Sequence, residues 1–187
     1  ISEGESFALE APVLNVSATG DINLASRYNQ LEQVNINNAG ASVTIGSTNS
    51  ENSNALQIKT NTPIVGNLTV TNYNDGSANV NAIKLPAQLQ AGGTITLINE
   101  ETAIIVDNTA SINAKDVVLE ATDIDVAGSV TATNDASLSS DASMTINGNV
   151  AASHDADLTA GSGLSVAGRV TATNDVSLSS DASMTIN

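Results

Sequence analysis

Residues 126–147 read VAGSVTATNDASLSSDASMTIN and residues 166–187 read VAGRVTATNDVSLSSDASMTIN, differing only at Ser129/Arg169 and Ala136/Val176. The apparent period is 40, but the intervening INGNVAASHDADLTAGSGLS (146–165) aligns with both copies without a gap at a period of 20. Val126, Ile146, Val166 and Ile186 then share one position, and Val130, Val150 and Val170 another. Leu138, Leu158 and Leu178 share a third, and Met144, Leu164 and Met184 a fourth. A fixed period of this length marks a solenoid, in which each repeat is one structural unit stacked on the next.

Inside the unit, apolar or small residues alternate with Ser, Thr, Asp and Asn. Period two is the signature of strands, and an even-numbered unit keeps the same side chains inward from one repeat to the next. Three positions carry bend formers: Gly128, Gly148 and Gly168; Asn134-Asp135, His154-Asp155 and Asn174-Asp175; and Ser140-Asp141, Ala160-Gly161 and Ser180-Asp181. Gly, Asn and Asp accept the backbone conformations of sharp turns. Three bends per repeat describe a triangular rung. One rung cannot bury its own inner face, so rungs must stack through in-register parallel hydrogen bonds at about 4.8 Å per turn. The expected fold is all-β, a right-handed parallel β-helix, because parallel crossovers are right-handed almost without exception. Roughly nine rungs would make a rod about 45 Å long.

The composition suits a thin core. Phe7, Tyr28 and Tyr73 are the only aromatic residues, Trp and Cys are absent, and hydrophobic residues make up 41 % of the chain. The regular spacing of Val, Ile, Leu and Ala argues against disorder, which polar anionic chains otherwise favour. The formal net charge of −15 repels nucleic acid and anionic membranes. No apolar run is long enough for a transmembrane helix, and no secretory leader is visible. The chain begins at Ile1 and reads as an internal piece of a longer protein. Lack of cysteine excludes a disulfide scaffold and thiolate metal sites.

The segment 1–105 is less regular but keeps alternating runs: VLNVSA (13–18), DINLAS (21–26), ASVTIGS (41–47), ALQIKT (55–60), NLTVTN (67–72) and TITLIN (94–99). Turns between them include Asn74-Asp75-Gly76 and Ala91-Gly92-Gly93. One continuous solenoid over 1–187 is expected, with irregular rungs over 1–105 and regular ones over 106–187. Gly20-Asp21-Ile22-Asn23-Leu24, Asn29-Gln30-Leu31, Ala41-Ser42-Val43-Thr44-Ile45 and Gly66-Asn67-Leu68-Thr69-Val70-Thr71 together resemble phrases of the filamentous haemagglutinin-like exoproteins of bacterial two-partner secretion. That resemblance implies a right-handed β-helix shaft on the bacterial cell surface or outside the cell. It also implies a role as an adhesin, a shaft that carries a contact-dependent toxin, or a haemolysin.

Among residues that could carry chemistry, Asp135, Asp155 and Asp175 stand out, since their constant spacing stacks them about 5 Å apart. A solvated turn column is the favoured reading. Bridging by calcium is the functional alternative, as calcium takes several carboxylate and carbonyl oxygens. His154, the single histidine, aligns with Asn134 and Asn174 and reads as a turn residue. Arg27, Lys59, Lys84, Lys115 and Arg169 are scattered, which disfavours a convergent acid/base site. Asn15-Val16-Ser17 and Asn67-Leu68-Thr69 match the glycosylation acceptor pattern. The expected function is a structural and adhesive shaft without catalytic residues or a resident cofactor. Its partners would be a host or neighbouring cell surface or matrix, with end-to-end self-association at open rungs. A glycan-binding module or a biofilm or sheath filament component is the alternative, and a polysaccharide-degrading β-helix the third reading.

Overall fold

The computed structural model describes residues 8–48, 55–73 and 82–187; the Asn74-Asp75-Gly76 turn lies outside them. Every strand pairing is parallel, there is no helix among the described residues, and the chain winds as a β-solenoid of about eight turns. The expectation of nine turns is one too many because the early turns are longer than the regular rung. Leu14 pairs with Val34, Val34 with Ile58, and Leu56 with Ile83, so the separation between partners grows along these first repeats. From Ile104 onward one face settles: Ile104 pairs with Ile124, Ile124 with Met144, and Leu164 with Met184.

Each regular turn has three strands. Ser143–Ile146, Asn149–Ala152 and Ala156–Ala160 form one such turn and lie on the first, second and third faces respectively. The second face is a five-stranded sheet running from Gln88–Gln90 to Arg169–Thr171. The first and third faces are joined into one 15-stranded sheet, because Thr94–Val106 and Asp116–Val126 run round the corner between them without a break. The former turns that corner through a register shift between Asn99 and Ala103, a bulge that bends a strand without ending it. In later turns Asp141-Ala142, Gly161-Ser162 and Asp181-Ala182 interrupt the same corner.

The alternation read from the sequence becomes columns. Leu24, Ile45, Val70, Leu97, Leu119, Leu138, Leu158 and Leu178 pair in register along the third face. Leu89, Ile112, Val130, Val150 and Val170 do so along the second. Nearly all are buried, and each fully buried aliphatic side chain stabilises by about 1.5–3 kcal/mol. The last rung shows what covering achieves. Met144 and Ile146 are 1 % and 0 % exposed, whereas Met184 and Ile186, with no strand beyond them among the described residues, are 43 % and 61 % exposed.

Glycine is required where corners touch. A Cβ on Gly148 or Gly168 would lie 1.8 Å from the carbonyl oxygen of the glycine one turn below, so the Gly128 column lets the corner backbones nest. A buried asparagine serves the first turns similarly. Asn29 Nδ2 donates to Leu24 O and Gly46 O, both at 3.1 Å, while its Oδ1 accepts the Leu9 N–H at 2.8 Å.

Candidate functional site

The corner between the second and third faces carries the aspartates singled out by their spacing, and the structure adds Asp116 to them. Asp116 falls one position out of step with the regular period, since Val117 pairs with Ala136. The side chains do more than stack in solvent. Asp116 Oδ1 accepts the Asp135 N–H at 3.4 Å, Asp135 Oδ1 the Asp155 N–H at 3.1 Å, and Asp155 Oδ1 the Asp175 N–H at 3.1 Å. A strand end leaves donors unpaired at a corner, and each carboxylate satisfies the one above it with a charge-assisted bond. Asp123 Oδ1 does the same for Ser143 N at another corner, at 3.0 Å.

The preceding residue adds a second tie. Asn134 Nδ2 donates to Asp116 Oδ1 at 2.7 Å and to Asp135 Oδ2 at 2.9 Å. Asn174 Nδ2 donates to Asp155 Oδ1 at 2.8 Å. Between them His154 places Nδ1 2.9 Å from Asp135 Oδ1 and 3.1 Å from Asp155 Oδ2. His154, read from the sequence as a turn residue, lies exposed at a bend where two carboxylates face it, one of them from the turn below.

These contacts move the titrations. The Asn134 amide, helped by the Asp135 N–H and Lys115, outweighs burial and holds the Asp116 carboxyl below the usual range. Asn174 and the Asp175 N–H do likewise for Asp155. The hydrogen bond to Asp135, then the charge of Asp155, pushes the His154 imidazole above its ordinary value.

Asp135, His154 and Asp155 each bring one potential donor atom within 4.8 Å of the others, the one such group among the described residues. Asp175 sits in the same column but outside that group. Asp135 Oδ1 and Asp155 Oδ1 each accept a backbone N–H group, so we assign these carboxylates to the corner ladder.

Three of the basic residues have an acidic or aromatic neighbour. Lys84 lies 3.4 Å from Asp107, Lys115 3.8 Å from Asp116, and the Arg27 guanidinium sits 5.7 Å from the centroid of the Tyr73 ring. Arg27 and Tyr28 share a corner with Tyr73, because Thr48 Oγ1 donates to Arg27 O and the Tyr73 N–H to Ser47 O. Tyr28 is 64 % exposed there. A shallow groove is lined by Ile98, Asn99, Glu100, Glu120, Ala121, Ser139 and Asp141, with no Lys or Arg in its lining. Asn15 and Asn67, of the acceptor patterns, both face outward; Asn15 Oδ1 accepts from Asn35 Nδ2 and Asn67 Oδ1 from the Thr94 N–H, each at 2.9 Å.

A scan against protein-family models and searches of curated proteins and of solved structures found no match to this chain.

Proposed function

We propose that this chain is shaft: a length of secreted bacterial surface fibre that works by contact and not by catalysis. The observation that carries the reading is the constant register of its last rungs. Ala136, Ala156 and Val176 pair in line, and so do Ser137, Asp157 and Ser177 beside them. A rung whose top and bottom are alike can be added without limit, and adding rungs changes only length. The outward positions repeat with the inward ones, so Ser, Thr, Asp and Asn present one pattern many times over, which suits multivalent contact. A host or neighbouring cell surface or matrix is the partner this reading names. The phrases resembling filamentous haemagglutinin-like exoproteins support a surface location reached by two-partner secretion. End-to-end association between copies at open rungs belongs to the same reading.

Beads coated with the chain test contact directly. The reading expects them to adhere to cultured epithelial or bacterial cells in numbers that grow with coating density. Adhesion equal to that of beads coated with an unrelated acidic protein counts against it. A glycan-binding module is the second reading, favoured by the Arg27, Tyr28 and Tyr73 corner, since aromatic faces and a guanidinium suit sugars. Tyrosine fluorescence reports on that corner without interference, as the chain has no Trp.

A further inference from the structure

On successive turns the residue before the ladder aspartate is Asn134, His154 and Asn174. The two asparagines reach the aspartate below and their own neighbour: Asn134 as above, and Asn174 with Asp155 Oδ1 at 2.8 Å and Asp175 Oδ2 at 3.4 Å. A primary amide carries two N–H groups and makes both bonds at any pH. His154 Nδ1 occupies the equivalent place between Asp135 and Asp155. It carries at most one proton, and only the imidazolium brings a charge to the two carboxylates. We propose that the His154 corner is a proton-sensitive joint between neighbouring turns, closed by imidazolium seated between Asp135 and Asp155 and loosened when that proton leaves.

Three charged groups act on the ring: Asp135 from the turn below, Asp155 beside it, and Asp175 from the turn above. All are acidic, and together they outweigh the opposing effect of burial and favour the charged form of the ring. The closed corner therefore titrates above the opened one, whose histidine has the ordinary value near 6.5. The stabilisation is fully present below that ordinary value and is lost as pH rises through the higher midpoint of the closed corner. The amides that depend on closure are Asp155 N–H on Asp135 Oδ1 and Asp175 N–H on Asp155 Oδ1, together with His154 N–H on Asn134 O and Asn174 N–H on His154 O. The joint stands on this geometry and is independent of the shaft reading.

The test is an NMR titration of the whole chain between about pH 5.5 and 8.5, with amide exchange measured at each step. We expect the His154 ring to titrate above 6.5. Protection of the Asp155 and Asp175 amides should fall as pH rises through that midpoint, tenfold for each unit by which it exceeds 6.5. The Ser143 amide, held by Asp123 with no histidine nearby, should keep the same protection throughout. His154→Asn installs the residue its neighbours use, and should keep the fold while flattening the pH response. Asp135→Asn should move the ring's midpoint back towards 6.5. A ring midpoint at or below 6.5, protection at Asp155 and Asp175 that ignores pH, or a response that survives His154→Asn would each overturn the joint.

Discussion

Replacing Leu158 by Ala strikes the most regular part of the core. Leu158 is 0 % exposed and pairs in register with Leu138 below and Leu178 above. The change removes three carbon groups, and at about 0.8 kcal/mol each the lost burial is about 2.4 kcal/mol. Collapse into the gap is restrained, because the flanking leucines are held at the rung spacing by ladder hydrogen bonds on both sides. A residual cavity then adds about 1 kcal/mol, for a total of about 3–4 kcal/mol. Leu178→Ala is the matched control, with the same chemistry on a half-buried residue that has a column neighbour on one side only. It should cost about half as much. Guanidinium unfolding followed by far-UV circular dichroism measures both, with a shifted midpoint at constant slope marking a pure stability change. A Leu158→Ala cost below about 1 kcal/mol, or one no larger than that of Leu178→Ala, would refute an inward leucine column.

Gly148→Ala should be among the most damaging small substitutions, losing at least about 3 kcal/mol in the same assay, because its Cβ meets a backbone oxygen at 1.8 Å. Gly163→Ala, whose nearest contact is the Ser183 hydroxyl at 3.3 Å, should stay within about 1 kcal/mol of the parent. Asn29→Ala strips partners from Leu24 O, Gly46 O and Leu9 N at once and should cost about 2–4 kcal/mol, seen as a lowered melting midpoint and faster exchange in the first turns. Millimolar calcium or a chelator should leave the melting midpoint unchanged if the Asp116, Asp135, Asp155 and Asp175 carboxylates serve the corner ladder; a rise with calcium would speak for ion bridging.

The later half of the fold was legible because each rung repeats the phase of the one before. Leu138, Leu158 and Leu178 lie where the constant period puts them, and the corners at Gly128, Asn134-Asp135 and Ser140-Asp141 fall between strands as their residue types demand. The earlier turns were legible as strands but not as register. There the repeat length varies with the connecting segments, and nothing in ASVTIGS or NLTVTN says that Val43 will meet Leu68 one turn on. The continuous strands through Ala121-Thr122 and past Asn99 were hidden for a related reason: a corner can be taken by a bulge or by twist, without the Ser-Asp or Ala-Gly pair that marks it in the regular rungs. At the candidate site the spacing located the aspartate column, yet not its chemistry. Asp116 is out of step by one position, and a partner of His154 comes from the rung below, so the relevant neighbour is visible only once the turn length is known. The run of Asn, His and Asn at that position was the available signal, since a residue shared by two of three copies hints at a hydrogen-bond duty.

The central claim is that residues one period apart sit one rung apart. Ser137 and Ser177 are exposed, point outward and bracket Asp157 in a single column. Nitroxide labels at these two positions should therefore lie about 10 Å apart at the backbone, two rung spacings, and show strong dipolar broadening in continuous-wave spectra that disappears on unfolding. Spectra that equal the sum of the two singly labelled chains, with no broadening in the folded protein, would contradict the stacked solenoid.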